Sequence, residues 1–218
     1  MSFLDQDLID AAADNDFERV EKLLEDGADP NVMGAGGWTA LHEACAQGSI
    51  NPRIIQALID ADADPNIHPK EGLSCLQIAV QRPDTDVVEM LIDAGADIEH
   101  QSGNRASVLY YAAASSNSKM CKTLIDRGAN PDALNKDGDT ALHALLKENG
   151  ENRVYNIVVG GANVDTPNSA GESARDMAKR LSEGDGLFKG NNALLRGLLD
   201  VGKDKPDYRP PRRGPRFF

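Results

Sequence analysis

The chain has little of what builds aromatic cores and reactive centres. It contains one tryptophan and 5% aromatics in 218 residues, so any core must be aliphatic and alanine-rich. Its three cysteines, Cys45, Cys75 and Cys121, are odd in number and have no CxxC spacing. That excludes a disulfide framework and a cysteine zinc site, and it fits a reducing compartment. No apolar run approaches the roughly 18 residues needed to cross a bilayer, so no membrane insertion is expected. The start, MSFLDQDLIDAAADNDFERV, is acidic and lacks an apolar h-region, which predicts no secretory signal. Together these features predict an intracellular, cytoplasmic protein. Positive charge is also scarce. The net charge of −12 disfavours nucleic acid as the partner of the whole surface, because phosphate is repelled. The charge is uneven: residues 203–218 carry +4 and the remaining 202 carry −16.

What the chain does have is repetition. The segment LLEDGADPN opens at Leu23 and returns as LIDADADPN at Leu58, LIDAGADIE at Leu91, LIDRGANPD at Leu124 and IVVGGANVD at Ile157. A second motif runs in phase with it: TALHEAC from Thr39, SCLQIAV from Ser74, SVLYYAA from Ser107, TALHALL from Thr140 and SARDMAK from Ser173. Both motifs step by 35, 33, 33 and 33 residues. A fixed period of this length marks a repeat architecture, in which no unit buries its apolar face alone. Thr or Ser at the head of each second motif suits a helix N-cap. Small residues follow it (Ala44, Cys45, Ala79, Ala112, Ala113) and allow close helix approach. The stripe Ile54, Ile55, Leu58, Ile59 and its later equivalents has helical spacing. Gly27, Gly95, Gly128 and Gly161 then stop each helix in a left-handed cap, with Asp62 in the second copy at some cost in stability.

The two motifs together resemble the ankyrin repeat, with its turn or hairpin, its two antiparallel helices and its T-P-L-H-x-A signature. The resemblance covers about residues 4–202 and implies an all-α ankyrin-repeat solenoid. Its units run roughly 6–38, 39–73, 74–106, 107–139, 140–172 and 173–202 of a domain over 1–202, with a basic, proline-rich tail over 203–218. The first unit lacks the TALH element and reads as an N-terminal cap, with Asp10, Asp14 and Glu18 available to water. The last reads as a modified C-terminal cap, with Arg175 where the internal units have Leu41, Leu76, Leu109 and Leu142. Unit 39–73 carries two extra residues in GSINPR. Arg105 stands where a hairpin glycine is usual, which predicts a distorted hairpin.

No catalytic constellation emerges. His42 and His143 share one motif position, and the resemblance implies that this histidine bonds backbone between repeats. His68 and His100 lie in loops without ligand-type spacing and read as solvated. Asp29, Asp64 and Asp97 recur at turn positions, where Asx side chains bond local backbone. GAGG at 34–37 matches neither GxxxxGK[ST] nor GxGxxG and reads as a hairpin tip. The cysteines read as small core residues. The expectation is therefore no enzyme, no metal and no cofactor.

The resemblance implies a protein partner bound on the concave side, by hairpin tips and exposed inner-helix positions. Carried onto this chain, these positions include Trp38, Leu73, Ile78 and Tyr111 as an apolar strip, with Lys70, Arg82 and Arg105 beside it. Trp, Tyr and Arg are the residue types enriched among binding hot spots. The expected role is a non-catalytic adaptor, inhibitor or assembly subunit, with a regulatory accessory factor of an enzyme as the alternative. The tail, KDKPDYRPPRRGPRFF, has prolines that oppose helix. It reads as a disordered, basic terminus; ordered, it either lies across the body with Arg212, Arg213 and Arg216 on carboxylates, or lies across another subunit with Phe217 and Phe218 as an apolar anchor. Nucleic-acid or acidic-surface binding through Arg209 to Arg216 ranks last.

Overall fold

The computed structural model describes residues 2–70, 72–115, 118–147, 157–158 and 160–183. The second helix of unit 173–202 and the whole tail, including Arg209, Arg212, Arg213, Arg216, Phe217 and Phe218, lie outside the described residues. The named helices are α1 (Phe3–Ala13), α2 (Phe17–Glu25), α3 (Ala40–Ala46), α4 (Pro52–Asp60), α5 (Cys75–Ala79), α6 (Thr85–Asp93), α7 (Val108–Ala114), α8 (Ser118–Asp126), α9 (Ala141–Lys147) and α10 (Ala174–Glu183).

The helices form two rows. The inner row packs α1 on α3, α3 on α5, α5 on α7, α7 on α9 and α9 on α10. The outer row packs α2 on α4, α4 on α6 and α6 on α8, and each outer helix also packs on its own inner partner. Leu8, Leu41, Leu76, Leu109 and Leu142, one per unit, are fully buried along the inner row. Ile54, Ile55, Leu58, Leu91 and Leu124 do the same between the rows. Burying an aliphatic side chain of this size is worth about 1.5–3 kcal/mol, and here the burial is shared with the neighbouring unit.

The helix starts follow the sequence. Ser74 accepts from the Gln77 N–H at 3.2 Å and Ser107 from the Tyr110 N–H at 3.2 Å. The extra length in unit 39–73 ends in Asn51, which caps α4 by accepting from the Arg53 N–H at 3.1 Å, with Pro52 in the first turn. In the first unit α1 begins at Phe3, capped by Ser2 through a reciprocal bond with Asp5. Asp10, Asp14 and Glu18 are exposed, as expected of a cap.

Two positions that break the glycine pattern keep the glycine backbone. Asp62 has φ 64°, beside 90° at Gly27 and 91° at Gly95. It closes its helix with the same pair of bonds, Asp62 N–H to Ile59 O and Ala63 N–H to Leu58 O, both 3.0 Å. Arg105 has φ 59°, where Gly138 has 73° and Gly171 has 77°. Its hairpin is not distorted: the Arg105 N–H reaches Ser102 O at 2.6 Å, as the Gly138 N–H reaches Asn135 O at 3.1 Å. The turn geometry is imposed by the stacked neighbours, and the side chain bears the left-handed strain instead.

The recurring turns explain why Asp/Asn-x-Asn/Asp/Glu is repeated. The first residue caps its own turn: Asp29 Oδ1 accepts from the Asn31 N–H at 2.9 Å and Asp64 Oδ1 from the Asn66 N–H at 2.8 Å. The third residue stitches to the next unit. Asn31 Oδ1 accepts from the Asp64 N–H at 2.7 Å, Asn66 from Asp97 at 2.7 Å, Glu99 from Asn130 at 2.8 Å and Asp132 from Asn163 at 2.6 Å. Asn31 and Asn66 also donate, to Asp62 O at 2.9 Å and Gly95 O at 3.0 Å. At the N-terminal end Asp5 takes the acceptor role toward the Asp29 N–H at 3.2 Å. At the other end Arg175 does not enter the core. It pairs with Asp165 through Nε at 2.6 Å and Nη2 at 3.2 Å, while Arg180 pairs with Glu172.

Two outcomes are expected from these features. Asn66→Ala removes two inter-unit bonds at an exposed site and lowers stability by about 1–2 kcal/mol in urea unfolding. Asp62→Gly relieves the left-handed strain and raises it by about 0.5–1 kcal/mol, after the entropy that glycine adds to the unfolded chain.

Candidate protein-binding surface

In α5 and α9 the fourth residue of the motif reaches the neighbouring unit's backbone. His143 Nδ1 lies 3.2 Å from the Thr140 N–H, and its Nε2 lies 3.1 Å from Glu172 O. An imidazole accepting at Nδ1 must carry its proton on Nε2, so it donates to that carbonyl. Gln77 plays the same part, with its Nε2 donating to Ala106 O at 2.9 Å and His100 O at 3.0 Å. His42 shares the Nδ1 arrangement, at 3.3 Å from the Thr39 N–H and 2.9 Å from Thr39 Oγ1. Its Nε2 lies near the Leu73 carbonyl, which favours the protonated ring, yet falls short of hydrogen-bonding geometry. Burial dominates and brings the His42 pKa down to about 4. His143 is therefore a structural latch between units, while His42 is a buried ring tied to its own helix start.

The strip expected from the sequence is only partly present. Trp38 is half-buried, with its ring 5.9 Å from that of His42 and inclined by 30°. Leu73 and Tyr111 are half-buried and remain accessible on one side. The Tyr111 hydroxyl lies 3.1 Å from Ser102 Oγ and 3.4 Å from Asn104 Oδ1, which ties the ring to the third hairpin. Ile78 is a correction. It is only 5% exposed and belongs to the core, because the short helix α5 turns this position between its neighbours. Ala144 and Met177, its equivalents further along, are buried too. Arg82 is also committed internally: its Nη2 donates to Ala46 O at 2.7 Å, bracing α5 against the end of α3. Lys70 and Arg105 are exposed.

The loop histidines are not solvated. Their rings lie 4.1 Å apart, both half-buried, where the second and third hairpins meet. His68 Nδ1 donates to Pro69 O at 3.1 Å and His100 Nε2 to Gly72 O at 3.4 Å. Burial, and then the neighbouring His68, depress the His100 pKa. Their separation in sequence is one residue short of the period, so the pattern gave no sign of the contact. Lys136 was also missed, although it repeats the hairpin position of Lys70 two units later.

Cys45 and Cys75 are fully buried and adjacent across α3 and α5. Burial pushes the Cys75 thiol well above its ordinary range, followed by its hydrogen bond with Cys45. Such thiols are poor nucleophiles. Among the described residues no group of three or more His, Cys, Asp or Glu is placed to hold a metal ion, and no helix is long and apolar enough to cross a membrane.

Paired helices stacked at one period, with turns stitched unit to unit and latch residues between them, define an all-α repeat solenoid. The chain belongs to the ankyrin-repeat family: the family model for ankyrin repeats (3 copies) matches residues 8–102 and 86–168, more than half of its length. It is 34% identical over 90 residues to the mitochondrial disaggregase of Bos taurus, across 37% of this chain and 13% of that protein. It is 40% identical over 76 residues to the 2-5A-dependent ribonuclease of Mus musculus, across 34% and 10%. It is 34% identical over 76 residues to ankyrin repeat domain-containing protein 40 of Mus musculus, across 34% and 20%. The chain thus spans a fifth or less of these relatives.

His42 carries a pH signature. Its folded pKa lies below the unfolded value near 6.5, so its contribution is fully present above pH 6.5 and is lost as pH falls toward about 4. The urea midpoint should fall between pH 6.5 and 5, and His42→Gln, which copies Gln77, should flatten that slope. Cys45 and Cys75 should stay unreactive toward Ellman's reagent in the folded protein and react once urea unfolds it.

Proposed function

We propose that this chain is a non-catalytic binding module that holds another protein against its inner-helix and hairpin side. The observation that supports this most is the accessible row Trp38, Leu73 and Tyr111, anchored on rigid units of a fold that generally serves protein interaction. Preorganised side chains lose little freedom on docking, so a modest apolar row on a stitched scaffold can bind tightly. The module acts as an adaptor, an inhibitor or a subunit of a larger assembly, in a reducing, cytoplasmic setting consistent with three unpaired buried cysteines.

A second reading rests on the relatives. Similar segments occur within a disaggregase and a ribonuclease, each far longer than the matched stretch. A chain of this kind can therefore serve as the accessory part of an enzyme whose chemistry lies elsewhere.

The test is affinity capture with the intact chain, compared with Trp38→Ala and Tyr111→Ala. Captured proteins should fall about tenfold or more with both variants, with thermal unfolding near that of the parent. Unchanged capture by two folded variants would remove the row from the interface.

A further inference from the structure

The hairpin edge carries a feature that the apolar row does not account for. Lys70, Arg105 and Lys136 are exposed on three consecutive hairpins. The hairpins are physically continuous. The second meets the third through His100 Nε2 and Gly72 O at 3.4 Å, and the third meets the fourth through the Lys136 N–H and Asn104 O at 2.9 Å.

Among the described residues these three cations are the ones whose side chains have no partner. Arg19 pairs with Asp7 and Asp14, Lys22 with Asp26, Lys122 with Asp126, Arg127 with Asp93, Lys147 with Asp139, Arg175 with Asp165 and Arg180 with Glu172. Arg53 stacks over Phe17 at 3.7 Å, Arg82 bonds Ala46 O, and Lys119 and Lys179 have contacts of their own. In a chain of net charge −12, with carboxylates abundant, leaving three neighbouring cations unpaired does nothing for folding. Asp137, exposed beside Lys136, only partly offsets them.

Arg105 carries the argument furthest. At φ 59° it holds a conformation that glycine takes in the equivalent turns, at a cost of roughly 1–2 kcal/mol for a residue with a Cβ. The stacked neighbours impose the same backbone at Asp62, so the strain alone does not mark function; at Arg105 it coincides with an exposed cation that has no partner.

We infer that this row docks an acidic segment of the protein partner. The inference rests on the binding role proposed above and specifies the chemistry of what is bound. The segment lies along the hairpin tips, its carboxylates on Lys70, Arg105 and Lys136. Its apolar side chains turn toward Leu73 and Tyr111, the latter bonded to Asn104 of the same hairpin. Outside the basic tail the chain is strongly acidic and repels the segment, so the row sets its register on the body as well as adding affinity. A long nucleic acid fits less well, since its phosphates continue past the row onto carboxylates.

The test selects dodecamer peptides from a randomised display library against the full chain, then titrates synthetic copies by fluorescence anisotropy. Recovered peptides should be rich in Asp and Glu and should bind more weakly as salt rises. Arg105→Gly, and Lys70→Ala with Lys136→Ala, should each weaken them about tenfold. Arg105→Gly should at the same time melt at a higher temperature than the parent, which a folding defect cannot produce. Neutral or basic peptides that depend on Trp38 and Tyr111 but ignore the cations would overturn the acidic-segment inference and leave the binding role standing. Recovery of no peptide would overturn both. A single-stranded oligonucleotide that binds more tightly than the peptides, with the same residue dependence, would overturn the inference in favour of nucleic acid.

Discussion

Everything in this molecule depends on contact between one unit and the next. A single unit has a short inner helix, as brief as five residues in α5, and a nine-residue outer helix in α4, α6 and α8. Helices of that length are marginal in water by themselves. They persist because each Leu at the third motif position is covered by both neighbours, and because the turn of one unit supplies an acceptor for the N–H of the next. The stitching matters as much as the apolar burial. It satisfies backbone groups at the exposed edge and fixes the rise from unit to unit.

That constraint also explains the departures from the pattern. Asp62 and Arg105 occupy left-handed positions although glycine would be relaxed there. The bonds on either side over-determine the turn, so the residue is forced to comply. In the first unit and in α10 the repeat changes its chemistry. Asp5 serves as the first acceptor, and Arg175 replaces the core leucine with a carboxylate pair. Both places exchange apolar burial for groups that water tolerates.

The proposed binding side inherits its rigidity from the same contacts. Tyr111 is aimed by Asn104 and Ser102, and Trp38 by the ring of His42, so the accessible faces of both rings are held before any partner arrives. The cations at the hairpin tips differ in kind. They are left unpaired by a structure that pairs or packs the other described cations, and they stand on loops whose backbone is nonetheless fixed. A rigid loop with a free charge is a recognition element more readily than a stabilising one.

The sequence by itself determined the period, the helix caps and the glycine stops, because these follow from local bonding repeated at one spacing; the all-α class and the latch role of His143 came through the resemblance those motifs carry. It also named Trp38, Leu73, Tyr111, Lys70 and Arg105 as residues to inspect. Only the tertiary structure decided that Ile78 is core, that Arg82 is a brace and that His68 meets His100. Those outcomes depend on how far α5 is rotated between its neighbours and on how the hairpins abut. Both are set by packing between units and leave no trace in the spacing of any one of them.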